Sequence, residues 1–460
     1  MKVTKSHIGK QRKKLNRMRQ YLESTQLKAI HNLLPKKIIR KICRQGEYRF
    51  RNKLLTPVVT VFHMINAAMS RERSFQSAWN NIGETGRSGS LAKARQRLPL
   101  TVLQHLDKWV VQQIEHDFTP QFKWRGHRVI GVDGTCVSMS NQAELMRLFG
   151  QADSKHGSSR FPIARIVFAF MLNPLISLGH KMSSYKTGEN ALFSGLIKKL
   201  QKGDLIIADR RYAGAKLYVE YQRAGLEFIT RSHQCLRIGS LKITRNLGKN
   251  DFIAELPISP AYRRKDPTLP ESISVRVIKM RIKIRGIKTD VWLITSLLDH
   301  LKYPADEIKL WYKRRWKVEG LIEEIKIFLG ADVLRSKKPD GVHKELAARV
   351  IAFNLIHWLI LRSCRKFQKD AQRISVSATI RLTLVYSLKM SEAAMPRLPK
   401  LGDELLGKVA QCIVPNRPGR SEPRMKRRDQ KHYPILKISR TEWRKTNERF
   451  DYVNKEKQRA

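Results

Sequence analysis

Apolar positions change their period along this chain, and the changes divide it. Over residues 1–125 they recur at helical spacing among basic residues. Leu27, Ile30, Leu33 and Leu34 read as part of short basic helices, 58–69 as a helix with an apolar face, and 101–116 as an amphipathic helix. Ser90 stands as an N-cap before a basic helix over 91–98 that stops at Pro99. A solvated surface helix and a groove-reading helix fit that stretch equally. From Arg128 the pattern becomes that of strands. An apolar run from Val129 ends on Asp133 and Gly134, 163–172 and 176–184 pair across Asn173-Pro174, and a helix spans 189–200. A second buried strand over 204–209 also ends on an acid, Asp209.

After a helix near 213–224, residues 226–298 are mostly β. Over 277–284, Ile278, Met280, Ile282 and Ile284 share one face, and Lys279, Arg281 and Lys283 the other, as in a half-buried strand. A last strand covers 291–295, a long helix 306–329 is broken at Gly330, and 344–367 is helical. Beyond Pro415 the chain is polar and basic, a weakly folded tail. Strand, helix and strand in succession define an α/β mixed sheet interrupted by a β-rich insertion, with helical regions at both ends. The expected domains are 1–125 (helical, basic, DNA-binding), 126–213 and 303–367 (two parts of one core), 214–302 (insertion) and 368–460 (C-terminal helices and tail).

Charge narrows the partners. The chain has 460 residues, 91 Lys+Arg against 39 Asp+Glu, and a net charge of +52. Such an excess opposes compaction unless a polyanion neutralises it, which points to nucleic acid ahead of an anionic membrane surface. An acidic small-molecule substrate needs only a local patch. The five cysteines, Cys43, Cys136, Cys235, Cys364 and Cys412, are too far apart to write a zinc ribbon or redox pair, and they suit a reducing cytoplasm. The basic N-terminus has no signal-peptide core, and the apolar run 350–361, broken by Asn354 and His357, is too short to span a bilayer.

The minority sign carries the chemistry. Asp133 and Asp209 each close an apolar strand, where open α/β sheets place ligands. Each alone is better explained as a cap of the following turn. The predicted 306–329 helix adds Tyr312, Arg315, Glu319 and Lys326, spaced by three, four and seven residues and so on one face. Such a stripe is common as a solvent face with i,i+4 charge pairs. Two strand-end aspartates, a helical glutamate and flanking cations together suit two-metal phosphodiester chemistry, in which carboxylates hold hard cations about 3.5–4 Å apart and cations clamp neighbouring phosphates.

The run Tyr312-x₂-Arg315-x₃-Glu319-x₆-Lys326 resembles the signature of bacterial insertion-sequence transposases of the IS-four group, DDE enzymes with a ribonuclease-H-like core. Val132-Asp133-Gly134-Thr135 resembles that group's first-aspartate strand. Gly188-Glu189 precedes the helix leading to the second, and Ile207-Ala208-Asp209-Arg210-Arg211-Tyr212 resembles the second strand. The separations of 76 and 110 residues between Asp133, Asp209 and Glu319 also suit it, the longer holding the β insertion. The resemblance implies that Asp133, Asp209 and Glu319 bind two Mg²⁺ or Mn²⁺ ions and cut element ends. The freed 3′-hydroxyl then joins target DNA by cut and paste; in the family it can first form a hairpin. It further implies that Tyr312, Arg315, Lys326 and Arg210 hold DNA phosphates, with Arg210 and Arg211 not distinguished by the motif. Trp292 becomes a base-stacking candidate, against packing between strand and helix. The implied partners are double-stranded terminal inverted repeats, target DNA and a second copy of the chain, in the bacterial cytoplasm at the nucleoid and without a membrane. The alternatives are a ribonuclease-H-like endonuclease without strand transfer and a basic nucleic-acid packaging protein.

Overall fold

The computed structural model describes residues 5–50, 53–70, 75–80, 88–154, 157–159, 161–284, 287–415 and Glu442. Apart from that glutamate, the expected basic tail lies outside the described residues. The frame is a ten-stranded mixed sheet. Its strands are β1 (Val129–Met139), β2 (Ile163–Leu172), β3 (Leu175–Ser184), β4 (Leu205–Ala208) and β5 (Glu227–Arg231). They continue with β6 (Lys242–Gly248), β7 (Asp251–Pro257), β8 (Ser272–Ile284), β9 (Ile287–Thr295) and the short β10 (Val333–Leu334). The order is β3-β2-β1-β4-β5-β9-β8-β7-β6, with β10 parallel beside the end of β1. β1, β2 and β3 form an antiparallel meander, and β4 and β5 run parallel to β1. This is the ribonuclease-H-like α/β arrangement that the sequence implied.

Local sequence explains the strands. All four residues of β4 are buried, so a continuous apolar run, not an alternating one, suits a strand covered on both faces. In β8 Ile278 and Met280 are buried while Arg281 is exposed, the expected alternation. Arg276 shares the buried face of Ile278 and Met280, at 1% exposure, although it is charged. Its guanidinium is held by Asp251 at 2.8 and 2.6 Å and by the Tyr303 carbonyl at 2.6 Å, which ties the outer strands to the chain entering the Glu319 helix.

The β-rich segment drawn at 214–302 does not stand apart at its start. The helix Ala215–Arg223 is a crossover returning the chain to β5, which pairs in parallel with β4, so both belong to the core sheet. Strands β6–β9 then extend that sheet, through antiparallel pairing of β9 with β5.

Helices cover the sheet. Pro339–Phe367 is long and apolar enough to cross a membrane by length and composition, yet 94% of its apolar window is buried inside the protein. The two polar residues interrupting its apolar run are both engaged. Asn354 bonds the Ser177 backbone at 2.8 and 3.0 Å and Asp107 at 3.1 Å, and His357 meets Glu324 at 2.8 Å. Among the N-terminal helices, Pro57–Met69 has all thirteen residues buried instead of one apolar face, because neighbouring helices enclose it. Leu27, Ile30, Leu33 and Leu34 are buried, but in a 3₁₀ turn, Lys28–Ile30, and the loop around it. Leu27 enters that turn at φ +48°, which ends helical geometry there. Ser90 lies within the first turn of Ser88–Arg97 instead of capping it. Leu100–Phe122 runs on past the expected end at His116 and is fixed to the sheet by Arg128, which bonds Glu115 and, at 2.7 and 2.5 Å, Asp204.

The expected 306–329 helix is divided. Ala305–Arg314 and Lys317–Glu323 are separated by a tight turn at Arg315-Trp316, and Glu324–Phe328 is a π turn. The turn is made by bonds from Arg315 N to Tyr312 O (3.1 Å) and Val318 N to Arg315 O (2.9 Å), shorter in span than helical ones. The second helix lies so close to β1 that a β-carbon on Gly131 would stand 2.3 Å from Val318 Cγ2. Gly131→Ala is therefore expected to destabilise the protein by about 1–3 kcal/mol in chemical denaturation, with partial recovery in Gly131→Ala/Val318→Ala. An unchanged midpoint contradicts this contact.

Candidate active site

Strand register assembles the site. β1 and β4 run parallel with Val132 opposite Ala208, so the next residues, Asp133 and Asp209, come side by side. Asp133 Oδ1 accepts from Gly134 N at 2.8 Å, and Asp209 Oδ1 accepts from Arg211 N at 2.7 Å, capping the turn Arg210–Tyr212. The capping reading holds for Asp209. Side chains alternate along a strand, so Gly131, Asp133 and Thr135 face the Glu319 helix: Val318 packs on Gly131 and Lys326 reaches Thr135.

Glu319 joins from that helix. Its Oε1 meets Arg315 Nη1 at 3.3 Å, and its side chain is 48% exposed. Arg315 is 6% exposed overall and lies 4.4 Å over the Trp316 ring. The electrostatics tie these groups together. Burial, followed by the charges of Asp209 and Glu319, pushes the Asp133 carboxyl up to about 6, against the Gly134 amide and Arg315. Tyr312 is also buried, and its hydroxyl is pushed up by burial while Arg315 and Arg231 oppose the shift.

The structure therefore brings Asp133, Asp209, Glu319, Arg315 and Tyr312 together. Lys326 bonds inward, to Thr135 Oγ1 at 3.2 Å and the Cys136 carbonyl at 3.1 Å. Arg210 turns to Gln234 Oε1 at 3.0 Å. Trp292 is half-buried on β9, edge-on to Phe252 of β7 at 5.9 Å with Lys279 of β8 over its ring, so these ring neighbours lie on strands.

Four residues near the site had no assigned role in the sequence. Glu189 bonds both Arg211 and Tyr212, and Arg231 ends β5 facing Tyr312. Trp316, 53% exposed, marks the turn beside Arg315, and Glu324 is fixed by His357. Glu189, next to Gly188 at a helix start, and Trp316 and Glu324, inside the run 312–326, lay in segments already singled out.

Three carboxylates suit a hard divalent cation, which prefers oxygen ligands and keeps waters. One oxygen of each is tied, to Gly134 N, Arg211 N and Arg315, and no described residue hydrogen-bonds the other. Among the described residues no group of three His, Cys, Asp or Glu side chains is placed to hold a metal ion, so the three carboxylates are neighbours without forming a ligand set. Glu319 faces Arg315, so binding a cation there means exchanging one positive partner for another.

A ribonuclease-H-like sheet with an aspartate pair at the β1/β4 edge and a glutamate brought over it by a helix defines a phosphodiester enzyme of the DDE class. Residues 124–355, half of the chain, match the family model described as the transposase DDE domain, and the chain belongs to that family. It is also similar to the transposase InsG for insertion sequence element IS4 of Escherichia coli strain K12, 24% identical over 413 residues that cover 87% of this chain and 91% of that one. The protein is a DNA transposase of the IS4 group, so DNA is its partner, and its family is divalent-metal dependent.

The raised Asp133 carboxyl has a consequence for stability. The folded state binds this proton more tightly than the unfolded chain, so stability is lost as pH rises from about 4 through 6. Without divalent cations, Asp133→Asn should exceed wild type by about 1–3 kcal/mol at pH 8, the gap closing near pH 4. Equal gaps at both pH values contradict the charge crowding.

Proposed function

We propose that Asp133, Asp209 and Glu319 are the catalytic triad of a cut-and-paste transposase acting on the inverted repeats of its element. The observation that carries this is the register that sets Asp133 beside Asp209, with Glu319 close enough to raise the Asp133 carboxyl. These carboxylates would hold two Mg²⁺ or Mn²⁺ ions, which would supply activation of the attacking oxygen and stabilisation of the leaving one. Gly134 N and Arg211 N orient the aspartates, and Arg315 holds Glu319. Tyr312 and Arg315 line the cleft at the phosphate backbone. Lys326 braces the π turn against β1, from where its ammonium also faces DNA entering over Thr135. Hydrolysis at each end frees a 3′-hydroxyl, which attacks a target phosphodiester, directly or after a hairpin stage. Two copies of the chain synapse the two ends, in the bacterial cytoplasm at the nucleoid. Trp292 is the base-stacking residue of that hairpin stage only if DNA draws it away from Phe252.

The experiment uses purified protein, the inverted repeats flanking its own gene and Mg²⁺ or Mn²⁺. The expected result is end cleavage followed by joined products. Glu319→Ala should cut below about a hundredth of the wild-type rate while still binding ends. Cleavage without joining supports the endonuclease reading, and binding without metal-dependent cleavage supports packaging. A cutting Glu319→Ala protein removes Glu319 from the triad.

A further inference from the structure

The two arginines after Asp209 have different surroundings. Arg210 is exposed and bonded to Gln234, in the loop after β5. Arg211 turns the other way and donates to Glu189 Oε1 at 2.9 Å. Resting on the transposase reading above, we propose that Arg211 is the guanidinium clamping a DNA phosphate beside Asp133 and Asp209, and that Glu189 is its positioning residue.

Glu189 is well placed for this. It opens the helix Glu189–Ile197, and its side chain is only 13% exposed whereas that of Arg211 is 69% exposed. Its carboxylate lies against Gly134, the residue after Asp133, where a β-carbon would stand 2.6 Å from Glu189 Cδ. Oε2 accepts from the Tyr212 hydroxyl at 3.2 Å. Tyr212 itself is fully buried, edge-on to Phe193 at 5.6 Å. One turn is thereby locked at three points: Asp209 takes the Arg211 amide, Tyr212 is seated in the core, and Glu189 takes one guanidinium nitrogen.

That leaves Arg211 oriented with donors unused. A guanidinium carries five N–H groups in a planar fork, and the described residues engage it only through Nη1. The free edge can meet a phosphate bidentately while Glu189 fixes the other. An exposed ion pair contributes little to stability. A largely enclosed carboxylate aiming an exposed arginine at the edge of two catalytic acids therefore fits a positioning role better than a stabilising one.

The test replaces single phosphates around the cleaved bond with neutral methylphosphonates and measures end cleavage by wild type, Arg211→Ala, Arg211→Lys, Arg210→Ala and Glu189→Gln. Wild type should lose about tenfold or more at one phosphate beside the cleaved bond. Arg211→Ala should cut native DNA more slowly and show no further loss there, whereas Arg210→Ala should keep the full loss. Arg211→Lys, which preserves the charge facing Glu189, should keep part of it, and so guards against misfolding of the alanine variant. Glu189→Gln should slow native cleavage and weaken the sensitivity without a matching fall in thermal midpoint. Full sensitivity in Arg211→Ala, its loss in Arg210→Ala, or a wild-type-like Glu189→Gln overturns the proposal. Should wild type not cut the ends, the transposase reading itself fails. The clamp is then still read from metal-free binding of pre-nicked ends carrying the same methylphosphonates, with the same pattern across the variants expected.

Discussion

Burial of the Asp133 carboxyl, with the charges of Asp209 and Glu319 nearby, is the constraint that the surrounding structure is arranged to meet. Burial raises the proton affinity of a carboxyl, and neighbouring negative charges add to the effect. Asp133 carries that burden most visibly, with its carboxyl up to about 6. Two backbone amides, at Gly134 and Arg211, and one guanidinium, Arg315, oppose it. The glycines of β1 serve the same end by geometry. Gly131 lets Val318 bring the Glu319 helix down, and Gly134 leaves room for Glu189 on the other face.

Much of this was legible in the sequence, because the relevant signals are local. The apolar run ending on Asp209 located β4 to within a residue at each end, since a strand covered on both faces must be apolar throughout, whereas β1 does not close at Asp133 but runs on to Met139. The Tyr312, Arg315, Glu319 spacing survived a change in its carrier. The helix breaks at Arg315-Trp316, yet Arg315 still reaches Glu319 across one turn. What spacing could not show was the π turn, at whose start Glu324 meets His357 from a helix more than thirty residues away. Nor could it assign β5 to the core, because hydrogen bonding of β5 to β4 is a long-range choice. The arginine pair failed for a related reason. Neighbouring residues share a motif but point apart, and only Glu189 and Gln234 distinguish them.

The charge of +52 is given structure unevenly. Some cations are internal braces: Arg128 fixes a helix to the sheet, Arg276 ties the outer strands to the glutamate helix, and Lys326 bridges the π turn to β1. Others stay exposed, among them Arg210, Arg211 and Lys93. Only cations of the second kind can neutralise phosphates without first breaking a bond that holds the fold. Counting basic residues therefore overstates the DNA-binding surface, and the minority acids mark the chemistry more sharply than the majority bases do.

The central claim is that three acids, far apart in the chain, form one cation site. Affinity cleavage with Fe²⁺ in place of the native ion, with ascorbate and peroxide, tests it directly, because hydroxyl radicals cut the backbone close to where the iron sits. The account predicts cuts clustered around residues 133, 209 and 319, all suppressed by excess Mg²⁺ and all weakened together by Asp209→Asn. Cuts confined to one of the three segments, or spread with no relation to them, would contradict it.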